Sequence, residues 1–579
     1  MVLSPAIAAL VLRLRLMVST GLPDPTMHTI YIVAPREMFI RYGTARDAAI
    51  VLRESARVGF LVPARLAYLA FGAVPGFFFT RYVFALVAVG PVYLLLRSLY
   101  GRPAGVAGIL VVLSAPVILT AWGTDYPDSA VVSYSIGALA CLAMPCARRW
   151  RPAWLAAGGL LLTMAVWSHG VAVPLVGATL VGYVGVRLVR DRAGLPGDLI
   201  LLAGVAAAVT GLLVVASAVM FGHANFIDYT WQAARFLSQP SQTKHWHSAN
   251  WRWALYVAYL LVLPAVFGAF AIAVARRGRA VPTPVVLVGV MAGVQVAAFV
   301  WLQFFGTVQL LEEHYFSSPL WGAVCLVLAV TIAELARPLW DRPLARWLPA
   351  AVLLAVPLGY EAGPRMPPFG WAPFGFILVA AVIVAAVAAR GGAKLHRPLA
   401  AATAIGLSLA TIVGAILVLT VAPIPQHRPP PNTVWDPAPF YGAALGGSFA
   451  AYIDAYRIAT ALPHFVGPPT YRGEQLLMWR QPSSGPTYEY AGMYRGVSNS
   501  LPSRNPPYLS AKDHQRLKAR RPAELLLFDI PPGSFPSAMR ALAAFRPTLV
   551  RAGDLRAGPL ALHAWVVRLG VYYHPPRRR

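Results

Sequence analysis

The chain has 579 residues, of which 58% are hydrophobic and only 12% are charged, and its mean hydropathy is +0.60. Because soluble domains carry about 25% charged residues, this composition excludes a soluble enzyme, a disordered tail protein and a coiled coil. The formal net charge of +27 would suggest nucleic acid as a partner of a soluble protein, but the apolar background indicates a membrane.

Apolar runs long enough to cross a bilayer recur as far as residue 422. A membrane-spanning helix needs roughly 20 apolar residues. We predict about thirteen spans, near residues 3–20, 77–96, 104–121, 128–145, 154–169, 171–189, 199–221, 253–275, 284–305, 317–335, 348–360, 372–389 and 399–422. Cys141, Cys146 and Cys325 lie within or beside these runs and are expected to be small buried hydrophobes. The predicted fold class is a polytopic α-helical membrane protein.

Basic residues concentrate in alternate short loops between these runs. They are Arg97, Arg102, Arg148, Arg149, Arg151, Arg187, Arg190, Arg192, Arg276, Arg277, Arg279, Arg337, Arg342, Arg346, Arg390, Lys394 and Arg397. The intervening loops 122–127 and 306–316 contain no lysine or arginine. By the positive-inside rule, the basic loops face the cytoplasm. The amino terminus is then on the cytoplasmic side of the cell membrane and the carboxyl terminus on the extracytoplasmic side.

The polar regions on the predicted outer side are a first loop, 21–76, a second loop, 222–251, and the tail. In the first loop, segments 30–42 and 47–60 have helical apolar spacing, and we expect interfacial helices lying on the membrane. A transmembrane domain, 1–422, is followed by a Pro-rich linker, 423–439, and a small extracytoplasmic α/β domain, 440–579. Strands are predicted at 475–480, 524–530 and 560–569, with a helix at 534–545. The tail is basic, but its basic residues do not form a pattern typical of nucleic-acid binding.

Scarce carboxylates near the predicted outer membrane surface are candidates for general-base chemistry. They are Asp24, Asp125, Asp128, Glu312 and Glu313, the last two followed by His314 and Tyr315. A carboxylate at the interface can take the proton of an acceptor hydroxyl. Helix capping is the structural alternative, in which Asp128 caps the fourth span and Asp24 begins an interfacial helix. The 312–315 cluster is a candidate for positioning an acceptor or a donor head group.

Arginines near the same face complement these carboxylates. Arg13 and Arg15 lie in the outer half of the first span, Arg81 lies at the start of the second, and the first loop adds Arg36, Arg41, Arg46, Arg53, Arg57 and Arg65. Charge within a span indicates function unless the side chain can snorkel to the interface, which is the alternative for Arg13 and Arg15. The guanidinium fork suits recognition of a lipid phosphate.

Short motifs within residues 5–190 follow one another in an order that resembles a known family. They are Leu12-Arg13-Leu14, Asp24 with Tyr31 and Ala34, Val62-Pro63, Phe71-Gly72, Arg81, Tyr93-Leu-Leu-Leu-Arg97, Tyr100-Gly101, Ser114-Ala-Pro116, Thr124-Asp125-Tyr-Pro127-Asp128 and Trp167-Ser-His169-Gly170. Together with the predicted topology, they make the chain resemble the GT-C glycosyltransferases. The most similar groups are the dolichyl-phosphate-mannose–protein mannosyltransferases and the bacterial lipid A aminoarabinose transferases. Beyond residue 200, the resemblance rests on topology and on the 312–315 cluster.

The resemblance implies a transferase that uses a polyprenyl-phosphate sugar as donor and a protein, glycan or lipid as acceptor on the outer leaflet, among membrane lipids. It implies that Asp24 is the catalytic base or positions the acceptor, and that Asp125 or Asp128 faces the same cavity. Arg81 and His169 would lie near the donor phosphate. The family often has a second acidic residue beside the first aspartate, whereas Pro25 stands here. This departure argues against a role for a divalent metal in this loop, although a metal cofactor stays an alternative. No other cofactor is expected.

At the position of His169 many relatives have lysine, so contact with phosphate depends on the protonation state of the histidine. A polyprenyl-phosphate donor already carries its leaving group, so the enzyme needs a base and cations and no nucleotide-sugar site. Two other functions are alternatives. A transporter or flippase of a lipid-linked glycan would show inverted repeats and interrupted helices. A non-catalytic scaffold would display its tail domain to a partner.

Overall fold

The computed structural model describes residues 55–71, 73–114, 118, 121–122, 127–222, 224, 226–228, 230, 253–304, 314–335, 337, 465, 477–480, 509–528, 532–557 and 560–572. The chain divides into two compact units: Met1–Val18 with Leu52–Phe440, and Ser19–Val51 with Tyr441–Arg579. The domain limits predicted from composition, 1–422 and 440–579, stay predictions.

The described part of the first unit is helical. Its helices are α1 Val58–Phe71, α2 Ala73–Tyr100, α3 Arg102–Ser114, α4 Asp128–Leu142, α5 Arg151–Val166, α6 Ala172–Arg190, α7 Leu195–Phe221, α8 Trp253–Arg277, α9 Thr283–Phe304 and α10 His314–Leu335. Each predicted span between residues 77 and 335 coincides with one of these helices. For the span predicted at 104–121, the corresponding helix α3 ends at Ser114. The spans predicted at 3–20, 348–360, 372–389 and 399–422 lie outside the described residues, so the count of thirteen stays a prediction.

Five of the described helices are long and apolar enough to cross a membrane: Phe79–Tyr100, Ala172–Arg190, Leu195–Phe221, Thr283–Leu302 and Ser318–Leu335. Side chains of α7 are mostly exposed although they are strongly apolar, with Ile200, Leu212 and Val219 at 73%, 70% and 66% exposure. Such a surface is stable only against lipid or another apolar partner. The chain is therefore a membrane protein, as its composition indicates.

The helix α1 differs from the prediction for the first loop. We expected an interfacial helix over 47–60, but within the described residues 55–60 the side chains of Ser55, Arg57, Val58 and Phe60 are buried. The helix itself begins at Val58 and continues to Phe71. The interfacial placement is therefore wrong for residues 55–60, because these side chains pack inside the helical unit. Segments 30–42 and 47–54 lie outside the described residues.

Two groups of ion pairs join helices at the end of the unit where α5 begins. Asp198, on α7, accepts a hydrogen bond from the Tyr183 hydroxyl at 2.8 Å and forms ion pairs with Arg151 and with Arg187, the latter at 3.3 Å. Arg187 also pairs with Asp191 at 2.6 Å, and this hydrogen bond lowers the pKa of the Asp191 carboxyl. These contacts connect α5, α6 and α7 through buried charge.

The second group is centred on Glu334 of α10. Its carboxylate pairs with Arg277 of α8 at 3.1 Å and accepts a hydrogen bond from the Tyr100 hydroxyl of α2 at 2.5 Å. Arg151, Arg187 and Arg277 were expected to set orientation only. The structure shows that they also bind neighbouring helices through carboxylates that are distant in sequence.

The cysteines fit the expectation at two of three positions. Cys141 and Cys325 are buried within α4 and α10. Cys146 is exposed in the segment between α4 and α5, so the prediction of a buried hydrophobe is wrong there. That segment follows the end of α4 at Leu142 and leads into the basic turn Arg148–Trp150, which is exposed as well.

The described part of the tail contains a four-stranded sheet in the order β1-β2-β4-β3. The strands are β1 Leu477–Arg480, β2 Glu524–Phe528, β3 Pro547–Ala557 and β4 Leu560–Leu569, and the helices are α11 Ala511–Arg520 and α12 Phe535–Ala541. β1 runs parallel to β2, and β4 is antiparallel to both β2 and β3. The three predicted strands and the helix before β3 are present, whereas α11 and β3 are additional.

Alternation along the strands places the core of this sheet on one face. Leu525 and Leu527 of β2 and Trp565 and Val567 of β4 pack with Leu517 of α11. The helix α11 begins at Ser510, whose hydroxyl accepts a hydrogen bond from the backbone N–H of Asp513, while the Asp513 carboxylate accepts one from the N–H of Ser510. This reciprocal capping fixes the start of the helix.

Candidate functional site

Four predicted site residues are described with their side chains: Arg57, Arg81, Asp128 and His169. We call these four residues the arginine site. His314 and Tyr315 are the first residues of α10, and their side chains lie outside the described part of the structure. The remaining candidates, also outside the described residues, are Arg13, Asp24, Tyr31, Asp125, Glu312 and Glu313.

Arg81 lies in the first turns of the membrane-spanning part of α2. Its side chain is 2% exposed, and its guanidinium lies over the ring of Phe60 at 5.9 Å from the ring centroid. Phe60 in turn contacts Phe84, one turn further along α2, with ring centroids 6.1 Å apart. An arginine that is buried among apolar helices is costly, which makes it a candidate for function.

Arg57 is brought to the same place by the first turn of α1. Its carbonyl oxygen accepts hydrogen bonds from the N–H groups of Phe60 and Leu61, at 3.0 and 2.9 Å. Arg57 therefore lies one helical turn from Phe60, whose ring contacts the Arg81 guanidinium. The Arg57 side chain is also buried, at 6% exposure. Two guanidinium groups thus lie within the helical unit at the start of α1 and α2.

Gly59 fixes this turn of α1 against α4 and α5. Its N–H donates to the carbonyl of Trp167 at 2.8 Å, and its own carbonyl accepts from the Tyr134 hydroxyl at 3.2 Å. A side chain at this position would meet the Met164 carbonyl oxygen and the Ser168 backbone nitrogen, the latter at 2.9 Å. Only glycine allows the backbones to approach so closely.

We expect Gly59→Ala to displace α1 and lower the free energy of unfolding by about 1–3 kcal/mol, the usual cost of overpacking. A thermal melt of the full-length protein in detergent measures the change. Gly177→Ala is the matched control, because a side chain at this helical position of α6 meets nothing within 4 Å. The control should leave the melting temperature unchanged or raise it. Equal melting temperatures of Gly59→Ala and wild type would contradict the close packing.

The parallel packing of α2 and α4 sets the level of Asp128 along the helix axis relative to Arg81. Tyr134 of α4 meets Phe84 of α2 edge-on at 5.6 Å, and Gly137 approaches the Val87 carbonyl, three residues further along each helix. In this register, Asp128 precedes the level of Arg81 by three residues, about 4.5 Å along the helix axis.

Asp128 is 2% exposed, in the first turn of α4. The N-cap position is occupied by Pro127 without a side-chain hydrogen bond, so Asp128 is not the helix cap that the alternative interpretation proposed. Its carboxylate lies at the helix amino terminus, where the helix dipole favours negative charge. The following turn is held by Trp122, whose indole N–H donates to the Ser133 hydroxyl at 2.8 Å.

His169 follows the end of α5 and is half-buried. Its Nδ1 accepts a hydrogen bond from the N–H of Val171 at 3.1 Å. A nitrogen that accepts carries no proton, so the neutral ring has its proton on Nε2 and can donate there. The neighbouring Trp167 is held by a hydrogen bond from its indole to the Thr210 hydroxyl at 3.0 Å and by edge contact with Phe226. His169 is therefore positioned as a neutral donor.

Arg57 and Arg81 supply two buried guanidinium groups, and the His169 imidazole follows the Trp167 carbonyl that Gly59 contacts. The Asp128 carboxylate lies at the start of the neighbouring helix α4. Guanidinium groups and N–H donors of this kind bind the oxygens of a phosphate and stabilise negative charge that develops on them. Among the described residues, no group of three His, Cys, Asp or Glu side chains could hold a metal ion. The sequence predicted the polar members of the site but missed the residues that position them, namely Gly59, Phe60, Trp122 and Tyr134.

No family model and no curated protein matches this chain. The apo structure of ArnT from Cupriavidus metallidurans is similar at 16% identity over 99% of both chains, with a TM-score of 0.48. The structure of the same protein bound to undecaprenyl phosphate is similar at 15% identity over 97% of both chains, with a TM-score of 0.47.

The apo Archaeoglobus fulgidus oligosaccharyltransferase is similar at 11% identity over 91% of this chain and 69% of that chain, with a TM-score of 0.40.

Proposed function

We propose that the protein is a membrane glycosyltransferase that moves a sugar from a polyprenyl phosphate to an acceptor on the extracytoplasmic face. The observation that carries this proposal is the burial of Arg57 and Arg81, two guanidinium groups of one site within the helices of a membrane protein. Charge in such a place is maintained for binding an anion or a counter-charge. The ordered motifs in residues 5–190 supply the class of the anion, a lipid-linked sugar phosphate.

The chemistry follows from the nature of the donor. The bond between the anomeric carbon and the phosphate oxygen breaks, and a bond forms between that carbon and the acceptor oxygen. Negative charge develops on the departing phosphate, where Arg57, Arg81 and the Nε2–H of His169 stabilise it. The proton of the acceptor hydroxyl passes to a carboxylate, for which Asp24 is the proposed base. The transfer requires no nucleotide.

The remaining sequence candidates are proposals at the same site. Asp125 and Asp128 face the acceptor side, Arg13 and Tyr31 contact the donor, and residues 312–315 position a head group. In the proposed topology the amino terminus is in the cytoplasm and the tail is outside, and the proposed transfer takes place at the outer leaflet of the cell membrane.

Transfer can be tested with the full-length protein in nanodiscs. The donors are synthetic undecaprenyl-phosphate-linked mannose and aminoarabinose, and a membrane extract supplies the acceptor. The quantity to be measured is the release of undecaprenyl phosphate. Turnover of a donor supports the proposal and identifies the sugar. Absence of turnover for both donors, together with failure of undecaprenyl phosphate itself to bind, would contradict it.

We expect Asp24→Asn to lower the transfer rate by about 10²–10⁴-fold, because the acceptor hydroxyl loses its base. Binding of undecaprenyl phosphate should remain unchanged, since no donor contact is removed. Asp47→Asn is the matched control, another carboxylate of the same loop with no assigned role. Full transfer activity of Asp24→Asn would remove Asp24 from the mechanism. The phosphate-binding role of the arginine site is tested separately, by binding of undecaprenyl phosphate.

A further inference from the structure

A unit of helix, arginine, proline and strand occurs twice in the described tail. After α11, Arg521 and Pro522 lead into β2. After α12 and the short turn Ala543–Phe545, Arg546 leads into β3, which begins at Pro547. Both arginines adopt the left-handed backbone conformation, with φ of 48° and 50°. Glycine or asparagine ordinarily occupies this conformation at the end of a helix, so two arginines here are unusual.

The two arginines lie at the same end of the sheet. The carbonyl of Arg546 accepts a hydrogen bond from Gly570 at 3.0 Å, just beyond β4, and the N–H of Leu569 donates to Ala523 at 2.8 Å, two residues after Arg521. Because β4 lies between β2 and β3, the arginines flank the end of β4 at a separation of about two strand spacings, or about 10 Å. Both side chains are exposed.

Exposed apolar side chains accompany these arginines. Leu549 and Val550 of β3 are each 44% exposed, and Val571, beyond the end of β4, is 45% exposed. The ladder between β3 and β4 is irregular between Leu549 and Arg551, which leaves Val550 out of register. The N–H of Val571 donates to the Phe545 carbonyl at 3.4 Å, next to Arg546. We call Arg521, Arg546, Leu549, Val550 and Val571 the sheet-end surface.

Among the described residues of the tail, the carboxylates pair with groups outside this surface. In the described part of the tail, Asp554 pairs with Arg556 and His563, and Glu524 pairs with Arg568, whereas neither Arg521 nor Arg546 forms an ion pair. In the sequence, Arg577, Arg578 and Arg579 follow shortly after this end of β4.

We propose that the sheet-end surface docks on a bilayer that contains anionic phospholipid. The arginines bind the phosphates of the head groups, and Leu549, Val550 and Val571 enter the boundary between head groups and acyl chains. A soluble phosphate would satisfy the arginines but not the exposed apolar side chains of this surface. The tail belongs to a membrane protein, which favours a lipid surface as the partner. This inference is independent of the proposed transfer reaction.

Lipid contact can be measured with a fluorophore on the full-length protein in nanodiscs. Cys146→Ser removes the exposed cysteine, while Cys141 and Cys325 are buried. One label is placed by Thr548→Cys, beside the sheet-end surface, and a control label by Ala561→Cys, at the opposite end of the β3–β4 hairpin. With phosphatidylglycerol in the nanodisc, we expect quenching by bromolipid to be several-fold stronger at residue 548 than at residue 561, and to fall in phosphatidylcholine alone.

Charge variants test which residues cause the contact. The double variant Arg521→Gln, Arg546→Gln should abolish the lipid-dependent quenching at residue 548, and the corresponding lysine variant should retain most of it. Arg540→Gln with Arg556→Gln is the control, because it removes the same charge from exposed positions outside the surface. Thermal melts exclude loss of folding. Quenching that is independent of phosphatidylglycerol, or equally reduced by the control variant, would overturn the proposal. Absence of quenching at residue 548 would also overturn it and would indicate a protein partner.

Discussion

Replacing Arg81 with glutamine is expected to weaken binding of undecaprenyl phosphate to the full-length protein by about 10–100-fold. A hydrogen bond to a charged group contributes about 1.5–3 kcal/mol, and each 1.4 kcal/mol corresponds to a factor of ten in Kd. The effect should be large because the Arg81 side chain is 2% exposed, so the interaction with phosphate is little screened by water. Binding of the lipid to protein in nanodiscs, measured by native mass spectrometry, tests this expectation.

Two further variants separate binding from folding. Arg97→Gln removes a charge from the opposite end of the same helix α2, where Arg97 lies over the ring of Tyr93, and should leave binding unchanged. Arg81→Lys keeps the charge but loses the guanidinium fork, so an intermediate affinity is expected. Unchanged affinity of Arg81→Gln, in a variant that melts like the wild type, would remove Arg81 from the phosphate site.

The second large effect is expected for Asp198→Asn, at the opposite end of the helical unit. The Asp198 carboxylate compensates the buried guanidinium of Arg187 and pairs with Arg151, with side-chain exposures of 7%, 6% and 31%. Breaking a buried ion pair by removing one partner costs about 3–5 kcal/mol, because the other charge stays buried. We expect a loss of unfolding free energy near the lower end of this range, since Asp191 still pairs with Arg187.

Thermal and denaturant unfolding of the purified protein measure this loss. Asp191→Asn is the control: its side chain is 47% exposed, so the pair that it forms should contribute less than about 1 kcal/mol. Affinity for undecaprenyl phosphate should be the same in folded Asp198→Asn as in the wild type. Identical stability of Asp198→Asn and Asp191→Asn would show that the buried pairs do not hold α5, α6 and α7 together.

The sequence by itself determined which segments between residues 77 and 335 form apolar helices, five of which are long enough to cross a membrane. Hydropathy over a window of about 20 residues decides whether a helix can cross a bilayer, and this property is local. The strands Glu524–Phe528 and Leu560–Leu569 were predictable for a related reason, since short apolar runs of β-forming residues mark buried strands. The strand Pro547–Ala557 was missed because its apolar residues do not alternate regularly and its ladder is interrupted near Val550.

The sequence proposed Arg57, Arg81, Asp128 and His169 as site residues but gave no sign of the contacts that surround them. The packing of the helix that follows Arg57 depends on Gly59, whose close approach to α5 involves residues about a hundred positions away.

The tertiary structure alone showed that basic residues at the end of the helical unit where α5 begins have carboxylate partners. Asp198 and Glu334 occur in or beside apolar runs, where their sequence surroundings give no sign of Arg187 or Arg277. A charge inside a helical unit is stable only with a partner, and that partner is chosen by helix packing, not by sequence spacing. Local hydropathy thus determined the helices, and long-range packing decided which charges meet.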